Sequence, residues 1–217
     1  MDDPDREARH GGYATLAGRG EAELRVERSR FVALAAPTAA EADARLLVAE
    51  TLRLHHDARH VCFGWRGGPD GGWRELRSDA GEPAGTAGEP ILAALRHAEI
   101  AAATVVVARW FGGVKLGTGG LGRAYGAAAA AALAAAPRRV VIPGAEHRLR
   151  FAYAHERTVA HLLERHDGRL VRRDYGPQVA WQVWLPEATR AAFAGELAEA
   201  TAGAVALDST TDGEGSG

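Results

Sequence analysis

Thr104-Val105-Val106-Val107-Ala108-Arg109-Trp110-Phe111-Gly112-Gly113-Val114-Lys115-Leu116-Gly117-Thr118-Gly119-Gly120-Leu121-Gly122-Arg123-Ala124-Tyr125 is the stretch on which the fold turns. Residues 104–108 form a continuous, largely β-branched run, the pattern of a strand buried on both faces. A glycine-rich loop follows, then an alanine-rich helix near Leu121 to Ala135 that Pro137 stops. Gly117 to Gly122 matches G-x-G-x-x-G to the letter. A dinucleotide-binding loop leaves its strand directly, however, whereas Trp110 to Leu116 intervene here, and a proline-broken segment stands where a strand ending in an acidic residue belongs. The context excludes NAD or FAD, and no cofactor is expected.

Glycine loses the most backbone freedom on folding, so dense glycine needs a reason: a positive φ or a close approach. Backbone N–H groups at the start of the helix near Gly120, with the helix dipole, suit an anion. Arg109, Lys115, Gly117, Gly119, Gly120 and Arg123 are therefore the candidate anion- or nucleic-acid-binding residues. The competing reading is that the glycines only let the loop pack tightly on the helix. Lys115 is the single lysine among 26 basic residues.

About twenty residues upstream lies a second glycine-rich loop, Ser78-Asp79-Ala80-Gly81-Glu82-Pro83-Ala84-Gly85-Thr86-Ala87-Gly88-Glu89-Pro90. Pro90 falls in the first turn of a helix to about His97. His60, Asp79 and Glu82 are candidates for acid–base chemistry. Carboxylates beside glycines are equally turn and N-cap residues. His55 to Cys62 holds histidine, aspartate and cysteine, yet no second ligand pair at zinc-site spacing follows, so no metal is expected and Cys62 reads as a buried, inert thiol. The common hydrolase and NTPase signatures are missing.

Around these loops, strands are expected over 21–26 and 30–35 and a helix over 39–54. Thr38 would cap that helix with Glu41 in a capping box, and Leu46, Leu47 and Leu54 would share its buried side. Residues 60–65 and 73–77 read as a hairpin around a turn at 67–72. Pro137 to Gly144 reads as a linker. Beyond it come a half-buried strand carrying Leu149, Phe151 and Tyr153, a helix over 155–166 ended by Gly168, strands over 169–175 and 179–185, a helix from Pro186 to about Ala200, and a last strand at Val205 and Leu207. That order is β-α-β-β-α-β, the ferredoxin-like split unit. The fold class is thus α+β in two domains, 13–137 and 145–208, with 1–12 and 209–217 expected to be disordered.

The 217 residues are 47% hydrophobic, enough for packed cores without staples. One cysteine permits no internal disulfide and fits a reducing compartment. The acidic start is unlike a signal peptide, and the apolar run Ala127–Ala136 falls well short of the roughly 20 residues a span needs, so a cytoplasmic chain with no membrane partner is expected. A net charge of −2 argues against a strongly basic nucleic-acid binder. Nine arginines against five carboxylates between Arg138 and Asp174 make that stretch locally basic, a solvated face.

Ser29-Arg30-Phe31, His56 to Cys62, Ser78 to Pro90 and Arg109 to Tyr125, in this order and spacing, resemble the signature of the IMPACT family, in its bacterial YigZ-like branch. The resemblance covers nearly the whole chain. It implies an N-terminal β-α-β-α layer like the second domain of small-subunit ribosomal protein five, also seen in the fourth domain of elongation factor G. It also implies a ferredoxin-like C-terminal domain similar to that factor's fifth. Eukaryotic relatives regulate translation under amino-acid starvation through a protein partner, but carry a different accessory domain, so that partner does not transfer. Three functions follow as readings: a non-enzymatic translation regulator or accessory factor binding RNA or a ribosomal component through the glycine loops; an enzyme acting on a phosphorylated or anionic small molecule; and a module docking a protein partner on its ferredoxin-like sheet.

Overall fold

A computed structural model describes residues 10–68 and 74–208. The disorder expected at 1–9 and 209–217, the middle of the turn at 67–72 and the start of the return strand at Trp73 lie outside the described residues. The chain divides into two compact units, Tyr13–Val141, and Ile142–Gly217 together with Met1–Gly12.

The first unit is built on an antiparallel sheet of five strands in the order β2-β3-β6-β4-β5: β2 (Gly20–Val26), β3 (Ser29–Pro37), β4 (His60–Arg66), β5 (Glu75–Ser78) and β6 (Ala103–Trp110). β6 is central. Val105 and Val107 enter the main core on one face, while Val106 and Ala108 enter a smaller cluster on the other, which is why its sequence does not alternate. Helix α1 (Glu41–Leu54) packs on the smaller cluster through Leu47. Helices α2 (Gly88–His97) and α3 (Gly117–Ala135) cover the main core. Alanines 124, 128, 129 and 132 are buried on α3. Their small side chains bring its backbone close to the sheet.

Three expectations need correction here. Ala40, not Thr38, is the N-cap of α1: its N–H donates to Asp43 Oδ2 at 3.1 Å, whereas the Thr38 hydroxyl is held inside by Thr104 Oγ1 at 2.7 Å. Leu46 and Leu54 are 70% and 64% exposed, so Leu47 alone of the three faces the core. The segment read as linker contains a strand, β7 (Arg138–Val141), which pairs antiparallel with β1 (Tyr13–Leu16) and belongs to the first unit. Consecutive arginines and a flanking proline hid it, because a two-stranded ribbon with an exposed face needs little apolar patterning.

The second unit has three antiparallel strands in the order β8-β10-β9: β8 (Gly144–Phe151), β9 (Arg169–Tyr175) and β10 (Val179–Pro186). Helices α4 (Glu156–Arg165) and α5 (Glu187–Ala200) close its core, with Leu149, Phe151, Val159, Trp181, Val183, Phe193 and Leu197 inside. The expected last strand is reduced to a single bridge, Asp208 to Arg148, although Val205 is buried as expected. Tyr153 leaves the strand pattern for a short 3-10 turn and is 51% exposed, stacked on Tyr175. At the end of α4 the left-handed residue is Asp167, φ +55°, rather than Gly168. Gly168 is favoured instead by contact, since a Cβ there would lie 2.3 Å from Leu163 Cδ1 and push that side chain aside. Asp167 is held by His10, whose Nε2 is 2.8 Å from Oδ2. His10, inside the stretch 1–12 expected to fray, is buried. In the basic stretch, Arg148, Arg150 and Arg172 are exposed on the sheet.

Candidate functional site

The two glycine-rich loops meet. A pocket of about 350 Å³ lies between them, with Pro83 from the first loop and Lys115, Leu116, Gly117 and Thr118 from the second in its lining. β4 supplies His60, β6 supplies Arg109 and α3 supplies Leu121.

Two side chains on one face of β4 hold the first loop in place. The His60 ring contacts the Ala80 carbonyl through Nδ1 at 2.9 Å, and the Cys62 thiol donates to the Asp79 carbonyl at 3.0 Å. Because a carbonyl can only accept, Nδ1 carries the proton, and a neutral His60 presents Nε2 as an acceptor. Burial pushes the Cys62 thiol up to about 12. Cys62 is therefore a structural thiol.

Asp79 is not free for acid–base work. Its carboxylate accepts the N–H groups of Gly85, Ala87 and Gly88 at 2.8, 2.9 and 2.8 Å, closing the loop and capping α2. Burial acts to raise its pKa, but the bonds from Gly85, Gly88 and Ala87 outweigh it and keep the carboxyl below its ordinary value.

Glu82 sits at the pocket floor. Its Oε1 accepts from Arg109 Nη1 at 2.5 Å and from the Tyr125 hydroxyl at 2.9 Å, and His60 Nε2 stands 4.0 Å away. The Glu82 and Arg109 side chains are only 4% and 6% exposed, so the pair is a buried one. Arg109 Nη2 also reaches Ser29 Oγ at 3.5 Å, and its Cζ lies 5.5 and 5.6 Å from the ring centres of Phe31 and Phe111. Its Nε is buried without a hydrogen-bond partner among the described residues. Tyr125 packs edge-on against Phe31, and burial drives its phenol well above the ordinary tyrosine value.

Arg109 thus departs from its expected role as an outward cation, because a carboxylate has been buried against it. Lys115 and Arg123 do point outward: both are exposed and neither has an ion pair among the described residues. Lys115 borders the pocket and also a neighbouring groove that Arg123 lines with Gly120. Arg59, which the sequence reading passed over, is a second exposed cation at the pocket rim. Helix α3 starts at Gly117, three residues before the expected start, and no side chain caps it. The N–H groups of Gly117, Thr118 and Gly119 fall in the unbonded first turn, whereas Gly120 is placed to close the first intrahelical bond onto Leu116. Gly112 serves contact: a Cβ there would stand 2.1 Å from the Arg28 carbonyl carbon, and its N–H donates to Ser29 Oγ at 3.2 Å. Ser29 is one of the motif residues that the sequence marked without revealing its role.

Of the aromatic residues Trp110, Phe111 and Tyr125, only Phe111, 42% exposed, is offered to the pocket. Tyr125 is core, and Trp110 packs against His55 and under Arg30. Among the described residues no group of three or more histidine, cysteine or acidic side chains is arranged to hold a metal ion.

Residues 27–133 match the Impact N-terminal domain, and residues 149–204 match a domain of unknown function, DUF1949. The chain is 38% identical over 183 residues to the IMPACT family member YigZ of Escherichia coli, an alignment covering 84% of this chain and 90% of that protein. It is 33% identical over 193 residues to an IMPACT family member of Haemophilus influenzae, covering 88% and 94%. A crystal structure described as that of a hypothetical protein superposes with a TM-score of 0.65 at 34% identity, covering 93% of this chain and 98% of that one. The two matched domains in this order, and the extent of these alignments, place the chain in the IMPACT family.

Proposed function

We propose that this chain is a non-enzymatic, cytoplasmic factor associated with translation, which binds RNA or a ribosomal component at the surface where its two glycine loops converge. The observation that carries this reading is the convergence itself. Uncapped amides of α3 and the cations Lys115 and Arg59, which have no ion pair among the described residues, are gathered at one rim. Such a rim suits a phosphate, since the helix dipole and the cations act in the same direction. The translational role that the family resemblance implies, and the absence of a helix long and apolar enough to cross a membrane among the described residues, agree with it.

The test is equilibrium binding of the full chain to structured and single-stranded RNA over a salt series. Affinity is expected to fall steeply with salt, by about 0.7–0.9 in log–log slope for each phosphate contact. Lys115→Ala with Arg123→Ala should lower both affinity and slope. Binding that ignores salt and these substitutions would defeat the proposal.

A second reading is favoured by the concavity of the site. His60 Nε2 faces a buried carboxylate 4.0 Å away inside an apolar-walled pocket, an arrangement that suits acid–base work on a small anionic substrate. Substrate turnover abolished in His60→Gln with the fold intact would favour it.

A further inference from the structure

The pocket has two chemically different ends. At the floor, both donors to the Glu82 side chain go to Oε1, leaving Oε2 without a hydrogen bond among the described residues. With Nδ1 turned to the Ala80 carbonyl, the neutral form of the His60 ring offers Nε2 as a further acceptor on the same floor. Arg109 brings a buried Nε–H without a hydrogen-bond partner among the described residues. At the rim stand Lys115, Arg59 and the free amides of α3. Between the ends the walls are apolar: Pro83, Phe111, Leu116 and Leu121.

Each part restricts the ligand. At the floor Glu82 and Arg109 already form a matched ion pair with no cation left over, so the charged group belongs at the rim with Lys115 and Arg59 and a neutral group must enter. Two neighbouring acceptors call for two neighbouring donors, as in a pair of vicinal hydroxyls. The exposed ring of Phe111 offers a face on which a flat heterocycle stacks. A volume of about 350 Å³ lies near the lower end of ligand pockets and has room for one such unit rather than a helix.

We infer that the pocket between the glycine loops is a site for a single ribonucleotide, its phosphate at Lys115 and the start of α3, its ribose hydroxyls at Glu82 and His60, and its base against Phe111. The inference rests on the reading of the glycine-loop rim as a phosphate-binding surface and narrows it to one nucleotide. The 2′-hydroxyl is the group that distinguishes RNA from DNA, and Glu82 with His60 would read it.

The test is calorimetric titration of the full chain with a ribonucleoside 5′-monophosphate, its 2′-deoxy counterpart, the unphosphorylated nucleoside, inorganic phosphate, and a short single-stranded oligoribonucleotide with a 5′-phosphate. The ribonucleotide is expected to bind about tenfold more tightly than the deoxy form, the effect of losing one well-placed hydroxyl beside a charged acceptor. Lys115→Ala should remove the advantage of the phosphorylated form over the nucleoside. Phe111→Ala, at an exposed position, should weaken all base-containing ligands by about tenfold and leave inorganic phosphate unchanged. His60→Gln should bring the ribose-to-deoxyribose ratio toward one, and circular dichroism of that variant checks that the fold is retained. Tighter binding of the oligoribonucleotide than of the mononucleotide identifies a chain end as the source; the reverse identifies a free nucleotide. Equal affinity for ribose and deoxyribose forms, or binding of inorganic phosphate alone, overturns the inference. If none of the mononucleotides binds while RNA still binds through Lys115, the single-nucleotide site is refuted and the RNA-binding reading survives. If mononucleotides bind with ribose preference and RNA does not, the RNA-binding reading fails instead.

Discussion

Removing the Glu82 carboxylate should unfold the site from inside. In Glu82→Ala the Arg109 guanidinium, only 6% exposed, loses its carboxylate partner, and the Tyr125 hydroxyl loses its acceptor. Deleting one member of a buried ion pair costs about 3–5 kcal/mol, and an orphaned buried hydroxyl adds about 1 kcal/mol. Because both donors share Oε1 the losses overlap, and about 4 kcal/mol is expected rather than their sum. That is a large fraction of a typical domain stability of about 5–15 kcal/mol. Two compact units make a single global transition a poor measure, so the assay is hydrogen exchange at the amides of β6 and α3 as a function of urea, which reports the first unit separately. The companion variant, Glu82→Leu with Arg109→Met, removes both charges and should recover at least half of the loss, since apolar replacement of a buried pair is often close to neutral. A cost below about 1 kcal/mol for Glu82→Ala, or no recovery in the double variant, would refute the assignment of the pair to the floor of this site.

Acid should weaken the first unit through Asp79. Its carboxyl is held below the ordinary value by the loop amides, so the stability it contributes is present above the unfolded value of about 3.9 and is lost as pH falls through the folded one. Asp79→Ala should cost about 2 kcal/mol at neutral pH and flatten the acid limb of a stability–pH profile. Cys62, with its thiol raised to about 12, should resist thiol reagents in the folded chain at pH 8 and react only on denaturation, as mass spectrometry would show. Gly112→Ala forces a Cβ to within 2.1 Å of Arg28 and should destabilise the unit by roughly 2–4 kcal/mol in the same exchange assay, whereas Gly126→Ala on α3, whose Cβ would meet only ordinary contacts with Pro90, should not.

The parts legible in the sequence were those with a strong period or a strong stop. The run at 104–108 declared a doubly buried strand because both of its faces meet apolar clusters. The alternation of Val179, Trp181, Val183 and Leu185 declared β10 because one face alone is buried. β7 was illegible because its pairing with β1 buries little, and the capping of α1 misled because Thr38 finds a better partner in Thr104, distant in sequence. The glycine loops could be marked as candidates from their composition, and they do converge on one pocket. What no pattern reveals is that Glu82 turns inward to neutralise Arg109, since that pairing joins residues 27 positions apart, from the first glycine loop to β6. The role of Asp79 was legible only as the plainer of its two readings, a turn and cap residue.

The central claim, a negatively charged partner at the rim shared by the two glycine loops, is tested most directly by amide chemical shifts of the labelled full chain during titration with a 5′-phosphorylated oligoribonucleotide. The account predicts the largest shifts at Gly117, Thr118 and Gly119, with smaller ones around Ala84, and their loss in Lys115→Ala and at high salt. Shifts confined to other surfaces, or unchanged by salt and by Lys115→Ala, would contradict it.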